Sequence, residues 1–463
     1  MTQNLKVNHI NNKSYKRNQQ TQTFKAAPSA LFSTLDKSLK PLDSFIKMQE
    51  NLSGTRFVQD TATNWVPKAV FAGSKADLAE MSFLEFGESA LFYFAPGLIG
   101  EHISRKIFSK FAPKNLQKQI NKHIPDSVDT ILSNKALTKS GADKHLLPIK
   151  AAIVLSCAAI PAAEYALSFA KNLFTLKVFK KSDFNNIANL NKNQKEDTAQ
   201  QQRVEKSAKS HIKKAAIVSA ASLGTGVLFA ALGHKSKAIR SISKVILQPG
   251  AQISKGLEKA GIKSKKLDSF LRKYINFDFD SSNGKLALSH GQLAATVMAG
   301  VVGYNQAAKD RGRLDQLEVM TRLPLVAFYT IFGSSLFEHG FKNILHKKNV
   351  FPDLIKKTQD NTLITPTREE LPELAKQLAK KNKTNVEDEF AKLIKGKATI
   401  TAVPFLFSLV FMGFTLAGIS RLWTQYRYNK QQKENSTHQD TINITKLRNP
   451  LEEKAALTFA SFK

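Results

Sequence analysis

The chain has 463 residues, 69 Lys and Arg against 37 Asp and Glu for a net charge of +32, and one cysteine, Cys157. A single cysteine excludes an intrachain disulfide and any CxxC metal pair. The basic excess points to polyanionic neighbours, either anionic lipid headgroups or nucleic acid. A mean hydropathy of −0.26 places any membrane part among long polar stretches.

Residues 1–23 are rich in Asn, Gln and Lys and have no apolar core. They read as a basic disordered tail rather than a secretory signal. From Phe24, apolar residues recur near helical spacing at Leu31, Leu35, Leu39, Leu42, Phe45 and Ile46, with Lys37, Lys40 and Lys47 between them. That pattern predicts a peripheral amphipathic helical region over 24–82, lying on a lipid interface or on a soluble core and broken or bent at Pro41.

Six apolar stretches follow. Ser89–Gly100 is short and interrupted by Pro96-Gly97, whereas Ala151–Ala170 has spanning length and carries one acid, Glu164. Ala215–Gly233 is uncharged between Lys213-Lys214 and His234-Lys235. Leu286–Ala308 holds His290, Gln292, Asn305 and Gln306, and Leu323–Phe337 begins beside Pro324. The longest, Ala398–Ser420, runs 23 residues without a formal charge. At ~1.5 Å per helical residue it crosses a hydrocarbon core of ~30 Å. Lys392, Lys395 and Lys397 precede it, and Arg421, Trp423, Tyr426 and Arg427 follow. Such cations and amphipathic rings collect at headgroups. Three stretches are long enough to span alone; the other three read as short, tilted, half-inserted or core. Small residues at helical spacing (Ala220/Gly224, Ala295/Ala299/Gly303, Gly413/Ala417) favour close helix packing.

The run beginning at Ala90 and the run beginning at Ala327 match without gaps at Glu101/Glu338, His102/His339, Ile107/Ile344 and Lys110/Lys347, with Arg105/Lys342 alike in type. An internal duplication is therefore expected, with a weaker third copy ending at His234. The predicted organisation is a first helix–loop–helix membrane module over 83–175, a polar linker over 176–210 and a second module over 211–308. A third module spans 309–430, with a polar helical loop over 342–397, and a polar tail covers 431–463. If all six stretches span, the loops 101–150, 234–290 and 338–397 share one side and carry 35 Lys and Arg, against 34 on the other. Orientation is thus unreadable from the basic-residue bias.

Searches for phosphate loops, GxGxxG, HExxH and GxSxG find nothing, so no catalytic residue, metal or cofactor is expected. Asp278, Asp280 and Ser282 begin like a calcium loop but lack its later Gly and Glu. An acid inside an apolar helix needs a partner, water or a bundle interior, which singles out Glu164. The Glu-His pairs Glu101-His102 and Glu338-His339 join it as candidates for an intramembrane polar or ion site. Arg105, Lys106, Lys213, Lys214, Lys235, Arg421 and Arg427 are the expected contacts to anionic lipid. The fold expected is all-α: a multi-pass helical membrane protein with long basic polar loops. Its expected partners are the bilayer, anionic phospholipid and, left open, a second copy of the chain. It is read as a non-enzymatic scaffold or transporter-like bundle, in the inner (cytoplasmic) membrane if bacterial. The alternative is a peripheral basic helical protein on an anionic membrane surface or on nucleic acid. Aromatic residues lie mostly inside the apolar runs and offer no stacking platform, which disfavours nucleic acid.

Overall fold

A computed structural model describes residues 31–436, apart from 34, 51–53, 192–193, 279, 283–284 and 358–362. The expected tail 1–23 and most of the tail 431–463 lie outside the described residues. The described chain is all-α, with only two short antiparallel ribbons, Asp280–Ser282 with Lys285–Ala287 and Lys356–Lys357 with Leu363–Ile364.

Ten helices carry the architecture: α1 (Lys40–Glu50), α2 (Gly54–Val70), α3 (Lys75–Tyr93), α4 (Asp143–Cys157), α5 (Ala159–Phe179), α6 (Thr198–Leu232), α7 (His290–Arg311), α8 (Arg313–Phe328), α9 (Ser334–Lys347) and α10 (Val386–Phe407). Their starts obey local chemistry. The Ser74 side chain caps α3 and the Asp197 side chain caps α6. Ser289 and Gln292 form a reciprocal capping box on α7, and Asn385 caps α10 ahead of Glu387, Asp388 and Glu389. Side-chain oxygens and acids at these positions satisfy free amides and the positive helix end. Pro41, expected to break or bend the helical run, sits in the first turn of α1 just after the non-helical residues 35–39, where its missing N–H costs nothing. Gly312, at φ 130°, makes the tight reversal from α7 to α8, a backbone conformation only glycine holds cheaply. Pro96–Arg105, Tyr329–Gly333 and Ser408–Thr415 are π-helical, and helix continues beyond the last to Ser436.

The chain runs back and forth between two ends. α3 descends from Asp77 toward the π-helical segment at Pro96, and helices over 106–142 lead into α4 and α5, which return. α6 descends alongside them, with Ala208 on Phe169 near its start and Gly233 against Pro148 at its end. Helices over 237–274 then lead to α7, which rises beside α5; Gly300 meets Glu164 and Gly303 meets Tyr165. α8 and α9 descend, and α10 with its extension returns past α2, Gly413 on Pro67 and Gly418 on Phe71. The three long connections 106–142, 233–289 and 348–385 accordingly share one end.

Two water-soluble-style cores fill that end. One gathers Ile120, Ile124, Ile131, Leu137, Leu146, Ile149 and Ile153 with Leu247. The other joins Leu35, Leu39 and Ile46 to Leu354, Leu371, Leu378, Phe390, Ile394 and Ile400. They take in parts of two of the apolar runs. The first half of Ala151–Ala170 is packed in protein, and Ala398 and Ile400 belong to the second core. Lys397, expected to flank a span, pairs with Glu50 at 3.0 Å.

Among the described residues four continuous helical stretches are long and apolar enough to cross a membrane: Asp143–Phe179, Thr198–Leu232, Arg313–Lys347 and Val386–Ser436. Leu323–Phe337, too short by itself, gains its length by continuing into the helix on both sides. Leu286–Ala308 does not join the four; its helix, α7, is packed along α5 through Gly300, Gly303 and Ala307.

Candidate functional site: a buried polar seam between α3, α5 and α7

At the end opposite the long connections, helix termini meet in a charged cluster. Glu80 of α3 receives Arg311 Nη1 at 2.7 Å and the Thr175 hydroxyl at 2.7 Å, and its other oxygen lies 3.2 Å from Lys171 Nζ. Arg311 also pairs with Asp315 at 2.9 Å and donates to Asn172 Oδ1 at 3.2 Å. Arg421 pairs with Asp77 and stands 3.6 Å from Glu318. Burial alone would raise the Glu80 carboxyl, but Arg311 and Lys171 outweigh it and bring Glu80 down to about 2. Nearby Asp183, which caps the short helix Phe184–Ile187, is raised because burial outweighs its backbone hydrogen bond.

From this cluster a polar stripe runs inward along α5. Thr175, Asn172, Ser168 and Glu164 are spaced three or four residues apart, hence on one face, and all four are buried. They face the small-residue stripe of α7. An added Cβ on Gly303 would stand 3.0 Å from Ser168 Oγ, and one on Gly300 would stand 2.9 Å from Glu164 Oε1. Asn172 Nδ2 donates to Ala307 O at 2.9 Å. Ser168 Oγ and Glu164 Oε2 are buried without hydrogen-bond partners among the described residues. α3 closes the third side, where Lys68 of α2 pairs with Glu85 and the Tyr304 hydroxyl donates to Glu88.

Glu164, singled out in the sequence, is therefore inside the bundle at 3% exposure. Gly300 of α7 packs against it, and Glu85, Glu88 and Tyr304, none of them singled out, are near enough to feel its charge, rather than the Glu-His pairs. Glu101 instead pairs with Arg105, and Glu338 pairs with Lys342 at 2.6 Å, the same i,i+4 pattern at matching positions of the two similar runs. His102 and His339 are exposed. Among the described residues no group of three or more His, Cys, Asp and Glu side chains is placed to hold a metal ion.

The basic residues expected to meet lipid divide into two groups. Arg421 is taken into the buried cluster, and Arg105 is held by Glu101 and the Asn121 carbonyl. The guanidiniums of these two are engaged by protein groups. Lys106, Lys213, Lys214 and Lys235 are exposed, and Arg427 lies over the Trp423 ring at 5.0 Å.

Comparison of the chain with protein-family models, with curated proteins and with solved structures finds no match.

Proposed function

We propose that this is a non-enzymatic, multi-pass integral membrane protein whose helical bundle is transporter-like rather than a passive scaffold. One observation carries the membrane part. Two-thirds of the apolar stretch of Asp143–Phe179 is buried within the protein, but only 17% of that in Thr198–Leu232, 17% in Arg313–Lys347 and 22% in Val386–Ser436. The outer helices thus turn Ile217, Val218, Leu228, Leu325, Phe328, Leu336, Val410 and Phe411 outward. Apolar side chains turned outward along three long helices are unstable in water and stable in hydrocarbon. The central helix, shielded by the others, carries the polar seam, where ionisable residues of membrane transporters belong.

The exposed Lys106, Lys213, Lys214 and Lys235 suit anionic phospholipid at the edges of the apolar stretches. The helices over 237–274 add exposed Ile242, Val245, Ile253 and Phe270 among many bases, as interfacial helices do. The matching Glu–base pairs at Glu101–Arg105 and Glu338–Lys342 support an internal duplication of the membrane modules.

Extraction tests the reading. Membranes bearing the full chain are washed with high salt and then with alkaline carbonate, and the protein is expected to stay in the pellet until detergent is added. Release by either wash, followed by monodisperse elution in plain buffer, rejects integral insertion and favours a peripheral basic protein.

A further inference from the structure

The polar seam is one-sided in charge at its inner end. Beside Glu164 stand Glu85 and Glu88 on α3 and the Tyr304 hydroxyl on α7. The cations that face this group are Lys68 on α2, already paired with Glu85, Lys171 on α5, paired with Glu80, and half-buried Arg322 on α8. On α6, His211 faces Tyr165 at 2.5 Å, one residue along from Glu164. Among the described residues Glu164 Oε2 has no hydrogen-bond partner. A lone carboxylate buried this deeply is costly, and a proton removes that cost where no cation is placed to do so. Among the described residues too few ligands converge for a metal ion.

The route is also built. Ser168 Oγ, fully buried and unpartnered, lies one turn from Glu164 toward Asn172, Lys171 and Thr175. From Glu164 to the charged cluster at Lys171 is seven helical residues, ~10 Å. Gly300 and Gly303 bring the α7 backbone directly against Glu164 and Ser168, with no α7 side chain between at those two positions.

Resting on the transporter-like reading above, we infer that Glu164 is a proton-binding site inside the bundle, exchanging its proton with the charged end along the Ser168–Asn172–Thr175 face. The step is a simple one: a hydronium ion at the charged end gives its proton to the Glu164 carboxylate, leaving water and the carboxylic acid, and the reverse step returns it.

Infrared difference spectroscopy of the full chain in lipid vesicles, with pH stepped through neutrality, tests this. We expect a protonated-carboxyl band at neutral pH that disappears in Glu164→Gln and moves in Gly300→Ala, which presses a methyl on Glu164 Oε1. Ser168→Ala should keep the band and slow its hydrogen–deuterium exchange several-fold. A spectrum without a protonated carboxyl at neutral pH, or a band unchanged in both Glu164→Gln and Gly300→Ala, overturns the site. Loss of the band on adding sodium at fixed pH also overturns it, in favour of a monovalent-cation site. Unchanged exchange in Ser168→Ala overturns the route. Gly300→Ala covers the case in which Glu164→Gln fails to fold. Insertion is scored separately by carbonate resistance. An inserted chain without the band removes the site alone, and a band in a carbonate-released chain removes the membrane reading alone.

Discussion

Arg311 Nη1 lies 2.7 Å from Glu80 Oε2, joining the last turn of α7 to the first turns of α3 across 231 residues of sequence. Both side chains are buried, and Lys171, Thr175, Asn172 and Asp315 complete the arrangement. Removing one member of a buried charge pair leaves the other uncompensated, at a cost of ~3–5 kcal/mol. Arg311→Met should therefore lower the thermal unfolding midpoint in detergent sharply. The exposed pair Lys430–Glu434 serves as a control, and Lys430→Met should leave the midpoint nearly unchanged.

Gly303 and Gly224 belong to similar small-residue patterns but differ in surroundings. A Cβ on Gly303 would meet Tyr165 O at 2.7 Å, whereas one on Gly224 meets nothing within 4 Å. Gly303→Ala should destabilise by ~1–3 kcal/mol through overpacking. Gly224→Ala should stabilise by ~0.5–1 kcal/mol, the ordinary helical preference for alanine. Thermal melts of the two variants in one detergent check the opposite signs.

Asp268 joins the Pro249–Lys259 and Lys265–Tyr274 helices, accepting from Ser254 at 2.5 Å and from Arg272 at 2.8 Å. Burial would raise its carboxyl, but these two donors together hold it below the usual carboxylate range. A lowered folded value stabilises above the unfolded value, and that stability is lost as pH falls through the folded one. Amide exchange over 249–274 should therefore rise on acidification below the ordinary carboxylate range. In Asp268→Asn it should already be raised at neutral pH and should respond less to acid.

The shared end of the long connections gives a topology prediction. In a Cys157→Ser background, cysteines placed at Lys118, Lys263 and Lys376 should react with an impermeant maleimide from one face of sealed vesicles. Cysteines at Lys195 and Lys430 should react only from the other. Mixed labelling within either set would contradict the back-and-forth path.

Much of this was legible from hydropathy. The all-α class and a spanning-length run near the C-terminus follow from unbroken apolar residues at helical period, and caps such as Asp197 and Asn385 sit where local chemistry puts them. The run's true boundary was not legible: whether Ala398 and Ile400 touch lipid or the core of another region depends on residues 31–50, far away in sequence. The same distance hid the site. Glu164 stands out because it interrupts an apolar run, but Glu80, Glu85, Ser168 and Arg311 have unremarkable neighbours and acquire meaning only when α3, α5 and α7 pack together. The small-residue stripe on α7 was displaced as well. The contact face runs through Gly300, Gly303 and Ala307, so Gly303 was found and its neighbouring turns were not.

The helix from Val386 to Ser436 is 51 residues long. At ~1.5 Å per residue it measures ~75 Å, more than twice a hydrocarbon thickness of ~30 Å. One helix, interrupted by Pro404 and the π-helical turn Ser408–Thr415, thus runs from the Glu50 contact of Lys397 at one pole to the Asp77 contact of Arg421 at the other. Each pole is thereby held by its own ion pair, and the interruption between them is where the helix can bend without breaking either.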